Sequence, residues 1–184
     1  MGRPPARWVR PALVALTAVA LALTALGTGA VGTASVVSAS MAPTYGVGGT
    51  LLTTTVGVGE PGRGDVVVFA VPASWRSAAR ESGVELETGL MVKRVVGRGG
   101  DRVVCCAPGG RLVVNGEVLD EGYLARRPQD VTNPTYDVTV PAGHLWLLGD
   151  NRRHSFDSRA MQVREPGAGF VPVSAVRARV LGGF

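Results

Sequence analysis

The sequence is poor in several residue types on which reactive sites and binding surfaces depend. Its 184 residues include two histidines, two cysteines and a single lysine, Lys93, beside eighteen arginines. The cysteines, Cys105 and Cys106, are adjacent and too few for a structural zinc site. Neighbouring cysteines rarely bridge, because an ordinary disulfide needs its Cα atoms farther apart than one peptide unit allows. Their state stays open, and neither a metal nor an organic cofactor is indicated.

Aromatic residues are also scarce, at 5% of the chain. The net charge is +5 and the pI is near 10, a balance that nucleic-acid-binding proteins share. No run of basic residues exceeds two, however, and no aromatic residues alternate with them as a stacking platform requires. The arginines are therefore interpreted as scattered surface charges, and no nucleic-acid partner is expected.

Charge is missing altogether from residues 11–59, which follow three arginines in the first ten residues. The first part of this stretch is apolar for about 20 residues, the length of a membrane span. We expect a basic cytoplasmic N-terminus over 1–10, a transmembrane signal anchor over 11–32 and an extracytoplasmic domain over 33–184. A cleaved secretory signal with its cut near 32–34 is the alternative, although the apolar core is longer than such signals have.

Short β-rich segments dominate the remaining chain. Asn115-Gly116 between apolar arms predicts a tight hairpin over 111–119. The segment 72–89 is polar and mixed, which suits a short helix or a loop. The pattern predicts a mainly antiparallel β domain preceded by one transmembrane helix. The other predicted strands cover 51–56, 65–71, 90–97, 101–106, 136–140, 144–150 and 174–181.

The single lysine lies inside one of these apolar segments, LMVKRVVG. Arginine stays protonated at physiological pH, whereas burial can make a lysine amine neutral. A coding preference for arginine would spare a lysine where a deprotonated amine is needed. Lys93 is therefore a candidate general base, although chance survival explains one lysine equally well.

Two other stretches could supply the partners of such a base. The segment SASMAPT (38–44) offers serine nucleophiles directly after the apolar region, and GDNRRHSFDSR (149–159) crowds polar groups into eleven residues. A serine hydroxyl could pair with Lys93 in a dyad, or with His154 and Asp157 in a triad. The lone lysine favours the dyad. His144, within the apolar HLWLL, is interpreted as a packed strand residue.

Four motifs in order resemble the bacterial type I signal peptidases. They are S-x-S-M-x-P-T after the apolar span, G-D-V-V-V-F, K-R-V-V-G-x-x-G-D and G-D-N-R-x-x-S-x-D-S-R. The resemblance extends from the apolar segment to about residue 160. It implies a membrane-anchored serine endopeptidase that removes signal peptides from exported preproteins after small residues, using a Ser/Lys dyad.

The resemblance also implies a role for each matching residue. Ser40 would be the nucleophile and Lys93 the general base. Ser38 would donate to the oxyanion, and Ser155 would orient the lysine amine. Asp157 and Arg159 would form a supporting ion pair, which is also the simplest interpretation of the two residues by themselves.

The family binds its substrate as an added strand, so main-chain bonds supply affinity and shallow pockets supply specificity. Val36, Val37, Met91 and Val92 would line those pockets, although any of them could equally be ordinary strand core. The implied partners are secretory preproteins and the lipid bilayer, and a monomer is expected.

The sequence departs from the family pattern at two positions. Gly99 replaces the usual proline of G-x-P-G-D, and His154 replaces an asparagine often found before the serine of the last motif. Neither departure touches Ser40 or Lys93, and the role of His154 stays open.

Other kinds of protein stay open as alternatives. Self-cleaving repressors share a Ser/Lys dyad but carry a DNA-binding region where this chain has an apolar span. Specialised processing peptidases with few substrates are a closer variant. A membrane-anchored β domain that binds exported proteins without cutting them would have no special need for Ser40 or Lys93.

Overall fold

The computed structural model describes residues 29–59, 61–84, 86, 88–124 and 134–184. Within these ranges the chain forms eleven β-strands and two short α-helices. The strands are β1 Val31–Ser35, β2 Thr50–Thr54, β3 Val66–Ala70, β4 Leu90–Arg98, β5 Arg102–Ala107, β6 Arg111–Val114, β7 Glu117–Val118, β8 Tyr136–Thr139, β9 His144–Leu148, β10 Val171–Pro172 and β11 Val176–Gly183. The helices are α1 Ala73–Glu81 and α2 Ser158–Arg164, and 3-10 turns cover Ala39–Met41 and Val173–Ala175.

The strands form two antiparallel sheets. The large sheet has the order β1-β2-β11-β3-β4-β9-β10, and the small sheet has the order β7-β6-β5-β8. Every strand pair recorded in either sheet is antiparallel, which confirms the mainly antiparallel β class. The hairpin forms at Asn115-Gly116, where both residues have the positive φ that its turn needs. The segment 72–89 was predicted to be a short helix or a loop, and Ala73–Glu81 within it forms a helix.

Two apolar cores fill the fold. The first includes Phe69, Trp75, Met91 and Leu147 and lies between the large sheet and the two helices. The second includes Val103, Leu112, Trp146 and Leu148 and joins the large sheet to the small one. Trp75 of α1 makes edge-to-face contacts with Phe69 and Phe156, at ring-centroid distances of 5.9 and 6.2 Å, and these contacts hold α1 on the first core.

Lys93 occupies a core position of β4. Side chains alternate across a strand, so residues two apart share one face. Met91 and Val95, two residues before and after Lys93, both belong to the first core. Lys93 is therefore directed into the same buried side of the sheet and is only 3% exposed.

The predicted cytoplasmic N-terminus and most of the predicted anchor lie outside the described residues. The last two residues of the predicted anchor, Val31 and Gly32, belong to β1 and pair with β2. In the part of the chain that the structure describes, no helix has the length and apolar character required to cross a bilayer. Cys105 and Cys106, whose state the sequence leaves open, are joined to each other in a disulfide.

Gly97 of β4 lies where the large sheet packs against Val103 of the small sheet. A Cβ at this position would lie 2.6 Å from Val103 Cγ2 and 3.1 Å from Val140 Cγ2. We expect Gly97→Ala to lower the free energy of unfolding by about 1–3 kcal/mol, because the added methyl overpacks the second core. Gly182→Ala is the matched control, since a Cβ there meets nothing within 4 Å. Urea unfolding of both variants tests this, and equal midpoints would contradict it.

Candidate active site

Lys93 and Ser40 meet in the interior of the domain, although 53 positions separate them. The Lys93 amine donates a hydrogen bond of 2.8 Å to Ser40 Oγ and a second of 3.0 Å to the Val92 carbonyl. Ser40 lies in the 3-10 turn after β1 and is 7% exposed. The side chains are therefore placed so that a neutral amine could accept the hydroxyl proton.

Burial lowers the pKa of the Lys93 amine from 10.5 to about 8. Desolvation is the largest cause, because it disfavours the charged form. The negative charges of Asp157 and Asp150 raise the pKa and the positive charge of Arg159 lowers it, each by less than the desolvation does. The amine is thus neutral in a useful fraction of molecules near neutral pH.

Ser38 lies beside the nucleophile. Its Oγ is 3.1 Å from Ser40 Oγ, and the residue is exposed to solvent. The backbone at Ser38 is extended, with φ −136° and ψ 155°, so the short turn at Ala39–Met41 begins immediately after it. Two serine hydroxyls thus lie side by side at the start of this turn.

Asp157 and Arg159 form the buried ion pair that was predicted. Arg159 Nη2 lies 2.8 Å from Asp157 Oδ2, and Arg159 Nε donates 2.9 Å to Oδ1. Burial raises the pKa of the Asp157 carboxyl, but the charge and hydrogen bonds of Arg159, together with the other donors around the carboxylate, more than offset this, so the pKa stays below its usual value. Asp157 also accepts the N–H groups of Gly149 and Arg159 and so caps α2.

The structure joins Lys93, rather than His154, to Ser40. His154 is exposed, and its ring makes no hydrogen bond to Ser40 or Asp157. Both Asp157 oxygens are already engaged by Arg159 and by backbone N–H groups. The Ser/His/Asp arrangement is therefore not assembled here.

Ser155 is close to the pair but does not contact the lysine amine. Its Oγ is buried and has no hydrogen-bond partner within the described residues, although the hydroxyl is near enough to Asp157 to lower that carboxyl's pKa. The expected bond from Ser155 to Lys93 is absent in this arrangement.

Gly149 explains how the 149–159 loop approaches the nucleophile, and sequence reasoning gave it no role. A Cβ at Gly149 would lie 2.6 Å from the Ser40 carbonyl oxygen and would also collide with the Ser155 side chain. Only a residue without a side chain lets the two backbones come this close. The glycine of the G-D-N motif was a signal for a close backbone contact, but the sequence does not show that the contact is with Ser40.

Asp150 ties together three segments of the site and was also missed. It accepts two bonds from Arg94, at 2.8 and 2.6 Å, and one of 2.5 Å from Thr44 Oγ1. Arg94 in turn lies over the Tyr123 ring at 4.1 Å. One buried carboxylate thus links β4, the segment after Ser40 and the 149–159 loop.

A cavity of about 880 Å³ opens onto the pair. All four residues predicted as pocket walls, Val36, Val37, Met91 and Val92, line it. Its walls run along residues 33–38 and 88–92, and further apolar lining comes from Val68, Val84, Leu86, Phe156 and Ala160, which the sequence did not single out. No group of three or more His, Cys, Asp or Glu side chains in the described ranges could hold a metal.

Comparisons with known proteins find a matching family model and similar proteins of the same description. The model of the family described as signal peptidase, peptidase S26, matches residues 6–182. The signal peptidase I of Mycobacterium tuberculosis strain H37Rv is 35% identical over 148 residues, which cover 64% of this chain and 50% of that protein. The signal peptidase I of Pseudomonas aeruginosa is 30% identical over 159 residues, covering 65% and 51%.

A solved structure is also similar. It is a signal peptidase I from Enterococcus faecalis V583, with 29% sequence identity and a TM-score of 0.46, over 66% of this chain and 97% of that one. The chain spans about half the length of the curated relatives just described.

The lone lysine makes its pKa directly measurable. In protein labelled with ¹³C-lysine, we expect one side-chain Cε resonance, titrating near pH 8 and not near 10.5. Because burial disfavours the charged amine, roughly a tenth of the molecules should hold neutral Lys93 at pH 7. NMR titration measures this, and a midpoint above about 10 would contradict the desolvated environment.

Gly149→Ala tests the close approach of the loop to Ser40. The added methyl must displace the Ser40 carbonyl, so the Lys93 resonance should move and the protein should lose about 1–3 kcal/mol of stability. Gly46→Ala is the control, since a Cβ there meets nothing within 4 Å. An unchanged Lys93 titration in a folded Gly149→Ala protein would show that the contact does not position the pair.

Proposed function

The chain belongs to the signal peptidase family, peptidase S26, whose model matches residues 6–182, and from this premise we propose that it is a signal peptidase I. In this proposal it is a membrane-anchored serine endopeptidase that removes N-terminal signal peptides from exported preproteins and cuts after small residues. The single observation that carries the proposal is the 2.8 Å hydrogen bond between a buried lysine amine and a serine hydroxyl at the end of a peptide-sized cavity.

The reaction begins with proton transfer within the pair. Neutral Lys93 removes the Ser40 Oγ proton as the oxygen attacks the scissile carbonyl carbon. The tetrahedral oxyanion is stabilised by the Ser40 backbone N–H and the Ser38 hydroxyl. Collapse breaks the C–N bond, and the Lys93 ammonium gives its proton to the departing amine of the mature protein.

Deacylation uses the same base. Neutral Lys93 removes a proton from a water molecule as its oxygen attacks the ester carbonyl. The ester bond to Ser40 Oγ breaks, the serine oxygen recovers a proton from Lys93, and the signal peptide leaves with a new carboxylate. In the proposal Ser155 orients the Lys93 amine, since its buried hydroxyl borders Gly149, which packs on the Ser40 carbonyl.

The cavity suits an extended peptide. Residues 33–38 and 88–92 form two extended walls, and the preprotein would add a strand between them by main-chain hydrogen bonds. Val36 and Met91 are nearly buried while Val37 is 64% exposed, so the walls are shallow and apolar. Such pockets favour the small side chains at the first and third positions before the cut.

The N-terminal segment completes the proposal. A basic cytoplasmic start over 1–10 and an uncharged anchor within 11–32 would hold the domain on the outer side of the cell membrane as a single-pass monomer. The anchor would end by Ala30, because β1 begins at Val31. A preprotein whose signal peptide sits in the same bilayer would then reach the cavity.

Incubating the full chain in lipid vesicles with a secretory precursor tests the proposal. We expect cleavage at one bond, identified by sequencing the new N-terminus. Ser40→Ala should abolish cleavage, and Lys93→Arg should lower it by about 10²–10⁴-fold, because arginine stays charged and cannot act as the base. Ser174→Ala is the matched control, since this serine is exposed and does not line the cavity.

Two results would contradict the proposal. An intact precursor with the wild-type protein, across several precursors and lipids, would leave a binding domain as the explanation. An inactive His154→Ala protein beside an active Lys93→Arg protein would replace the dyad with a triad.

A further inference from the structure

The charges of the 149–159 loop are paired with one clear exception. Each buried acidic or basic side chain of the loop contacts a group of opposite charge. The pairs are Arg94–Asp150 at 2.6 Å, Arg159–Asp157 at 2.8 Å and Arg152–Glu121 at 2.5 Å. Arg153 is the loop arginine for which no ion pair or hydrogen bond of the side chain occurs within the described ranges, and it is exposed.

Arg153 faces the catalytic cavity. It lines the same 880 Å³ space as Ser40 and Lys93, and His154 lines it beside Arg153. None of the described residues that line the cavity is Asp or Glu. The positive charge on this wall therefore has no carboxylate of the described chain inside the cavity to neutralise it.

The turn that carries Arg153 is fixed against the nucleophile. The Asn151 backbone N–H donates 3.0 Å to the Ser40 carbonyl, and its side-chain amide donates 3.1 Å to the Ala39 carbonyl. The His154 N–H then closes the turn on the Asn151 carbonyl at 2.9 Å. Arg153 therefore lies in a turn whose backbone is hydrogen-bonded to the segment that carries Ser40.

The two extended walls of the cavity both lead to the catalytic pair. The wall at 33–38 runs along the chain towards Ser40, and the wall at 88–92 runs towards Lys93. A peptide that fills the groove between these walls and is cut at Ser40 continues beyond it. The 151–154 turn hydrogen-bonds to the backbone carbonyls of Ala39 and Ser40, so we expect a chain that continues past Ser40 to pass this turn.

We infer that Arg153 is a specificity-determining residue that binds the carboxylate of an aspartate or glutamate within the first few residues after the cleaved bond. This inference rests on the proposed peptidase function and names a substrate class for it, namely preproteins with an acidic start to the mature chain. A guanidinium suits this task because it binds a carboxylate with two parallel hydrogen bonds. At a partly exposed site such a pair changes kcat/KM by roughly 2- to 5-fold.

Matched fluorogenic peptides test the inference. Each pair is identical except for Glu or Gln at one of the first three positions after the cut. At one of these positions, we expect the wild-type protein to cleave the Glu peptide with a kcat/KM about 2- to 5-fold higher than that of its Gln partner, mainly through a lower KM. The preference should vanish in Arg153→Gln, turn towards a Lys-containing peptide in Arg153→Glu, and fade at about 1 M salt, where the Debye length is only about 3 Å.

Arg98→Gln is the matched control. Arg98 is also exposed and has no side-chain partner in the described ranges, but it lies at the far end of β4 and does not line the cavity. This variant should keep the full preference for the Glu peptide. His154→Ala should also keep it if Arg153 alone binds the carboxylate.

The possible results distinguish a failure of this inference from a failure of the proposed peptidase function. If the wild-type protein cleaves neither peptide of any pair, the peptidase proposal fails and the inference falls with it. If it cleaves both equally, or if Arg153→Gln slows both equally, the peptidase proposal stands and the inference is overturned. An Arg153→Gln effect seen only with anionic vesicles, and equal for both peptides, would assign the residue to lipid and also overturn it.

Discussion

The structure depends on a lysine that occupies a position where the fold would ordinarily place an apolar side chain. Lys93 shares a face of β4 with Met91 and Val95, and both of these belong to the first core. Burial of an unpaired ammonium in such a place is costly, so the equilibrium moves towards the neutral amine. The strand's alternation therefore supplies the chemical property that a general base needs, and the Ser40 hydroxyl at 2.8 Å gives it a target.

The charged side chains around Lys93 are arranged so that the pKa of its amine stays low. Two carboxylates near the amine, Asp150 and Asp157, would by themselves favour its protonated form. Each is paired with an arginine, and the positive charge of Arg159 lowers the pKa of Lys93 in turn. The same pairs fasten the 149–159 loop to β4 and to α2, which allows Gly149 to rest against the Ser40 carbonyl. Electrostatic tuning and mechanical support thus come from one set of contacts.

Much of the fold was visible in the sequence. Alternation in LMVKRVVG predicted strand β4, and Asn115-Gly116 predicted the hairpin of β6 and β7, because both signals are local. The same local signals could not order the strands, so the placement of β11 between β2 and β3 was not foreseen. The pairing of Cys105 with Cys106 was also left open. Ser155 was expected to contact the lysine amine, and the structure brings it near without making that bond.

The sequence by itself determined which chemical groups are present and which could react. A single lysine among eighteen arginines, and two serines after an uncharged stretch, favour a Ser/Lys pair. Only the tertiary structure decided that Lys93 and not His154 reaches Ser40, that Gly149 must lack a side chain, and that Arg153 is left facing the cavity. The physical reason is that composition and periodicity act over a few residues, whereas contact, burial and charge pairing depend on which distant segments the two sheets bring together.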